Sequence, residues 1–451
     1  MKKIRESARD LKIVRECDVL VVGAGPAGIG AAVTAARAGA DTVLIERYGH
    51  LGGMATGGLV ILLPHMSSGG QRQEIMGNCQ EWVDRLDRIG GAVHPSRREL
   101  GSSDPAVIEK WRHYFSFVVN DRVRQSVYLD PELLKCVLND MVEEAGVNLY
   151  LHSWGCRALT EGNRVIGVAF ESKEGRQAIL GRVTIDTTGD GDIIASSGAG
   201  YEGSMDSELR SAQLALVFRL GNVDFRAFCA FQDSNPDKWE ETKKKIFALG
   251  KFRLAPFPTN RNDVMWVNNW VPGRSCLSVE DLTWTEVNVR KIMREVRDIL
   301  AAETPGFEKG FILDTASQLG TRGSRRLKGM YRYTMNDVKN GTEFDDAIAL
   351  LPSLRKTDEN LFQIPYRTLV PQNVEGLLAA GRCFSSDGPA NNLTNLIPHC
   401  VAFGEAAGLG AVLANEAGVS VRDVDVQALQ RRLTAQGAVL PDRVKAAKAL
   451  A

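Results

Sequence analysis

The sequence predicts an α/β protein: a discontinuous, largely parallel sheet carrying a β-meander, with an α+β domain inserted into it. Three observations carry that expectation. A complete strand–glycine turn–helix–strand unit lies between Cys17 and Gly53. Short strands separated by Glu-Gly turns follow between Cys156 and Leu180. The α/β pattern then stops near residue 200 and resumes after Leu361.

In the first unit the apolar run Val19–Val22 reads as a buried parallel strand. Gly23 makes the tight turn, Gly25 lets backbone approach a pyrophosphate, and Gly28 lets helix and strand pack closely. The helix starting near Pro26 and Ala27 points its first amides at the phosphates. A second strand, Thr42–Ile45, ends in Glu46, placed to accept hydrogen bonds from ribose hydroxyls, with Arg47 beside it. Strand, glycines, helix, second strand and acid all fall at the spacing of a Rossmann-type dinucleotide site. The Gly52-Gly53 pair that follows favours FAD over NAD.

From Val60 to Asn120 the pattern is irregular and suggests an insertion. Asp130 can then cap a helix with Pro131 in its first turn, and Leu133, Leu134, Val137, Leu138 and Met141 form its apolar stripe. Val147–Leu151 reads as a strand, followed by meander strands at Cys156–Thr160, Val165–Glu171 and Gln177–Leu180. A further apolar strand from Val183 runs into Asp186-Thr-Thr-Gly-Asp190-Gly-Asp192. Residues 201–350 read as a second domain, with Thr285–Ala301 its clearest amphipathic helix. Leu377-Leu-Ala-Ala-Gly is a buried strand and Cys400–Ala417 a small-residue helix. The expected division is an FAD-binding domain of residues 1–60, 121–200 and 361–451, and a substrate or cap domain of residues 61–120 and 201–360.

Lysine plus arginine balances aspartate plus glutamate at 55 each in the 451 residues, so there is no electrostatic footprint for nucleic acid or an anionic membrane. No stretch approaches about 18 uninterrupted apolar residues, and the charged start does not read as a signal-peptide core. The eight cysteines are scattered without a Cys-x-x-Cys pair, so no metal or iron–sulfur site is expected, and they read as core residues of a cytoplasmic protein.

Five blocks of residues make the chain similar to FAD-dependent oxidoreductases of glutathione-reductase type, in the broad group that includes fumarate-reductase-like flavoproteins. They are Gly23-x-Gly25-x-x-Gly28 with Glu46; Gly52-Gly53-Met54-Ala55-Thr56; the segment Asp186 to Asp192; Leu319 to Arg326 with Asn336-Asp337 and Phe344; and Ile364-Pro-Tyr-Arg with Ala380-Gly381-Arg382-Cys383 and Pro398 to Gly408. The resemblance implies that the Gly52–Thr56 block approaches the flavin. Two residues depart from the family's habit: Asn395 stands where an arginine is common, and Glu405 where a glutamine is usual.

Reduced flavin carries negative charge on its N1–C2=O edge, which a preorganised positive end stabilises. The helix after Pro398 suits that task, with Asn395 as a cap. Gly404, Gly408 and Ala411 share one of its faces, for close approach to either another helix or the cofactor. Asp190 or Asp192 is suited to ribityl hydroxyls, or alternatively to an Asx-type turn. Arg322, Arg325 and Arg326 cluster where a substrate carboxylate could be held, with Arg325 the leading candidate, or where one structural ion pair forms. Of six histidines, His65 and His399 are the best general-base candidates, His50 is a phosphate or solvent contact, and His94, His113 and His152 read as structural.

The expected activity is hydride transfer between a small polar organic substrate and flavin N5. Alternatives are a flavin-dependent RNA-modifying enzyme, or a lyase or hydratase with structural FAD. No second glycine-rich unit marks an NAD(P)H domain, which leaves oxygen, a quinone or another protein as the electron partner. Oligomeric state is open, a homo-oligomer included.

Overall fold

The computed structural model describes residues 3–4, 9–203, 214–250, 254–353 and 361–442. Parts of the charged lead (1–2, 5–8), of the expected inserted domain (204–213, 251–253, 354–360) and the last residues, 443–451, lie outside the described residues.

The architecture grows from β1 (Lys12–Val22), α1 (Pro26–Arg37) and β2 (Thr42–Ile45). Next come α2 (Gly77–Arg88), α3 (Pro131–Glu144) and β3 (Asn148–Tyr150). The meander is β4 (Trp154–Glu161), β5 (Arg164–Ser172) and β6 (Gly175–Asp186), and β6 leads into α4 (Asp192–Ser197). These strands form one sheet in the order β3-β2-β1-β6-β5-β4. Strands β3, β2, β1 and β6 run parallel, and β5 and β4 are antiparallel.

β1 is longer than its apolar run, because Lys12–Glu16 pairs with Gln177–Leu180 while Val19–Val22 pairs with Val183–Asp186. The two strands expected on either side of Gly181 are therefore one. The first half of β6 is shared with β5, and its end pairs in parallel with β11, introduced below.

Period-2 alternation distributes the sheet's side chains. Val19 and Val21 enter the core under α1, while Leu20 and Val22 enter a second cluster with Ile193, Leu327 and Leu377 on the opposite face. Asp130 caps α3 as expected, accepting from the amides of Glu132 and Leu133.

The stretch expected to be irregular holds α2, which packs on α3. Cys79, Trp82, Val83 and Leu86 are its buried stripe, a helical spacing present in the sequence. Leu62–Leu63 and Ala92–Val93 of the same stretch flank the later strand Val127–Leu129 in a three-stranded sheet.

Beyond residue 213 come β7 (Phe218–Gly221), β8 (Leu254–Pro258), β9 (Val264–Asn269), α5 (Val279–Glu303) and β10 (Phe311–Thr315). β8-β9-β7-β10 is an antiparallel sheet, and α5 lies on β10. The chain returns through β11 (Leu377–Ala379), which joins the first sheet beside β6, and α6 (Ile397–Ala417).

α6 lies along α1. A Cβ on Gly404 would sit 2.0 Å from the Ala27 carbonyl oxygen, and one on Gly408 2.5 Å from that of Ala31. The glycine face thus serves helix packing, not the cofactor. α6 is long and apolar enough to cross a membrane by composition, but 89% of its most apolar window is buried inside the protein. Apolar residues of both sheets, Val21 and Phe218 among them, belong to one continuous core.

Candidate functional site

A cavity of about 750 Å³, open to solvent, lies at the carboxyl ends of β1, β2, β6 and β11, where open α/β sheets bind ligands. Its floor is the glycine turn. Gly23 has φ +99°, and a Cβ on Gly28 would fall 1.8 Å from the Gly23 carbonyl oxygen. Gly28 therefore builds the turn from beneath, while Gly23, Gly25, Pro26 and Ala27 line the cavity.

Glu46 and Arg47 line it at the end of β2. The buried Glu46 carboxylate accepts from the backbone of Ala24 at 2.7 Å and of Tyr48 at 2.9 Å, so it also fixes the turn. Burial raises its pKa against those two donors. Gly53 and Met54 reach the cavity. Gly52, Ala55 and Thr56 do not line it: Gly52 takes the left-handed conformation (φ +90°) and the Thr56 hydroxyl donates to the Leu51 carbonyl.

Asp190, Gly381 and Arg382 close the other side. The Asp190 carboxylate accepts from Arg382 Nη2 at 3.0 Å and from the Ser324 hydroxyl at 2.8 Å. The role of turn-former belongs instead to Asp186, which accepts from Thr188, Ile193 and Ile194 and so holds the start of α4. Burial lifts its pKa to about 6 against those bonds.

Other predicted residues lie outside the cavity. The three arginines disperse. Arg325 Nη1 donates to the Asp192 carboxylate at 2.9 Å and the Asp190 carbonyl at 3.0 Å. Arg322 lies over the Trp270 ring at 4.8 Å, and buried Arg326 donates to the Ser386 carbonyl. No shared guanidinium clamp forms; Arg325 instead holds Asp192, which lines the cavity.

Asn395 is not the cap of α6. That position is Leu396, without a side-chain cap, because Asn395 is engaged elsewhere, donating to the Arg322 carbonyl at 2.9 Å and to Asn391. Pro398 does fall in the first turn.

Glu405 faces away from the cavity. Its carboxylate accepts from Asn78 N at 2.5 Å at the start of α2, and burial pushes its pKa up to about 7. Its side chain is committed to the start of that helix.

His65 and His399 come from distant segments, and the charge of His65 bears on His399. Both are buried, and His65 Nδ1 and both His399 ring nitrogens have no hydrogen-bond partner among the described residues. Burial pushes both pKa values down to about 3, with the charge of Arg124 adding to the shift at His65. His50 stacks on Tyr48 and His152 packs under Gly49.

Residues not foreseen also line the cavity: Ser153, Trp154 and Gly155 from the start of β4, Gln318 and Thr321, and Cys400 in the first turn of α6. Of these, Thr321 carried a signal through the Leu319–Arg326 block and Cys400 through its place in the helix expected near the cofactor. The others arrive by tertiary folding.

Two buried atoms test the fit of a dinucleotide. Arg382 Nη1 and Gln318 Oε1, both on lining residues, have no protein partner among the described residues. A buried cationic donor and an amide acceptor left open beside a glycine turn suit a diphosphate-bearing, hydrogen-bonding ligand.

Comparison with known proteins agrees. The family profile described as FAD dependent oxidoreductase matches residues 18–433. Digeranylgeranylglycerophospholipid reductase 1 of Methanopyrus kandleri is 30% identical over 176 residues, 39% of this chain and 40% of that protein. Reductase 2 of the same organism is 27% identical over 39% of this chain and 38% of its own length. The match thus spans about two-fifths of these relatives. Among solved structures, a geranylgeranyl bacteriochlorophyll reductase-like protein from Thermoplasma acidophilum is 15% identical (TM-score 0.48), covering 95% of this chain and 89% of that one. The flavin-dependent monooxygenase PieE is 14% identical (TM-score 0.49), covering 90% of this chain and 59% of that one. With its profile matched over residues 18–433, the chain belongs to the FAD dependent oxidoreductase family, an enzyme with FAD as its cofactor.

Proposed function

We propose that this enzyme transfers a hydride between a small polar organic substrate and N5 of FAD held in the cavity at the carboxyl ends of β1, β2, β6 and β11. The observation that carries the reading is the buried, unpartnered Arg382 Nη1 in that cavity, fixed through Nη2 by Asp190 and Thr321. Bound FAD supplies a two-electron acceptor or donor.

The chain's own residues do the rest. The glycine turn and the first turn of α1 take the diphosphate, and Glu46 and Arg47 the ribose end. Gly53, Met54, Asp190 and Gly381 would border the flavin half, with Arg382 between it and the diphosphate. α6 brings its N-terminal turn to the cavity at Cys400, adding positive potential beside charge gained on reduction. Neither His65 nor His399 lines the cavity, and burial holds both pKa values at about 3. If one of them is the base, its open ring nitrogen takes the substrate's proton only once bound substrate raises that pKa. Arg325 positions Asp192.

Residues 61–120 and 201–360 form the substrate side and the rest the cofactor side, in a cytoplasmic enzyme whose electron partner is oxygen, a quinone or another protein. The reductase names of the two Methanopyrus proteins favour running the transfer toward an unsaturated substrate as a second reading.

An anaerobic screen of the holoenzyme against polyols, sugars, hydroxy acids and amines tests the first reading, and photoreduced enzyme mixed with alkenes tests the second. Bleaching or reoxidation of the visible flavin band by at least one compound is expected. A flavin inert to both sets, with non-redox turnover, would favour structural FAD instead.

A further inference from the structure

Trp154 is the one aromatic residue among those lining the cavity. It opens β4, and three contacts fix where it stands. Ser153 N donates to the Glu46 carbonyl at 2.9 Å, tying this segment to the end of β2. Gly155 lies over Val22, where a Cβ would fall 2.5 Å from Val22 Cγ1. Trp154 itself pairs with Glu171 of β5.

Alternation along the strand then sends Gly155 inward and the indole outward. Trp154 is 54% exposed, belongs to none of the hydrophobic clusters and stacks on no other ring among the described residues. A large apolar ring left open at the mouth of a cavity, beside an acid placed for a ribose, has the chemistry of a wall for a flat heteroaromatic base.

We propose that the Trp154 indole stacks on the adenine of bound FAD and closes the adenosine end of the cavity, so that it sets cofactor affinity without entering the redox chemistry. The inference rests on the cavity being the FAD site. It assigns Trp154 as a binding residue whose loss is felt by any ligand carrying the adenine half. Stacking is tolerant of ring type, so phenylalanine substitutes well and alanine does not.

The test uses apoprotein stripped of flavin, titrated calorimetrically with FAD and with ADP. Trp154→Ala should raise Kd for both ligands by roughly tenfold, while Trp154→Phe stays within about threefold of the parent. A second reading follows tryptophan fluorescence during ADP addition. Quenching in the parent should be absent in Trp154→Phe, since no other tryptophan lines the cavity. Unchanged affinity of Trp154→Ala for FAD and ADP, or the same quenching in Trp154→Phe as in the parent, overturns the stacking role while leaving the FAD site intact. Parent apoprotein that binds neither ligand would overturn the site itself.

Discussion

Each oxygen of the Glu46 carboxylate accepts one backbone N–H, from Ala24 and from Tyr48, so the charge that faces the cavity also shapes the turn beneath it. Glu46→Lys replaces an acceptor with a donor against two donors. We expect it to purify without FAD, read as loss of the visible flavin spectrum, whereas Glu46→Gln keeps one acceptor and retains bound FAD. At His65 and His399 the rings are neutral at pH 7, burial having pushed both pKa values to about 3. If either is the base, replacing it with asparagine slows single-turnover flavin reduction by at least about tenfold, ~1.4 kcal/mol. Parent-like rates in both variants would place the base elsewhere.

α6 concentrates several constraints on one element. Gly404 meets Ala27 of α1, so Gly404→Val forces the helices apart. Overpacking at such a contact costs at least about 2 kcal/mol, and a lowered Tm with reduced FAD content is expected. The same helix carries two buried groups whose pH effects oppose. Glu405 has an ordinary value of 4.5 and a folded value of about 7. The fold keeps its proton where the unfolded chain has released it, so this contribution is full below 4.5 and is lost as pH rises through 7. Glu405→Gln preserves the acceptor for Asn78 and removes the titration. The variant should gain on the order of 3 kcal/mol over the parent at pH 8, with the gap closing below pH 5, as thermal melts across pH will show. His399 runs the other way, its pKa held near 3 against an ordinary 6.5, so its contribution is full above 6.5 and lost as pH falls. The two trends offset one another between pH 4.5 and 6.5. A Glu405→Gln profile of stability against pH that coincides with the parent's from about pH 4 to 8 would contradict this division.

At the scale of the whole molecule, the cavity is a junction of chain segments far apart in sequence: residues 22–54, 153–192, 318–321 and 380–400 all reach it. A ligand bound there stabilises the folded state by about 2.7 kcal/mol at a hundredfold excess over Kd. Its contacts should tie those segments together. Hydrogen exchange of holoprotein against apoprotein is expected to show added protection in all four stretches. Protection confined to the first stretch would mean that the cofactor rests on the glycine turn alone.

The sequence by itself determined the local units, because each is encoded within a few residues. The apolar run with Gly23, Gly25 and Gly28 forms the turn, Asp130-Pro131 starts α3, and β2 occupies Thr42–Ile45 as read from its four apolar or β-branched residues. It also singled out Glu46, Gly53, Asp190 and Arg382, which the fold brings to one cavity. The amphipathic stripe of α2 was equally present, though masked by the irregular residues around it. What only tertiary structure decided is where side chains of similar chemistry point. Neighbouring arginines part to Asp192, Trp270 and Ser386, and Glu405 turns to α2 because its place on the helix faces Asn78. Trp154, Gln318 and Cys400 converge on one cavity from separate strands, loops and helices. Spacing along a chain sets which face of its own element a residue occupies. Which partner that face meets depends on the packing of elements hundreds of residues apart.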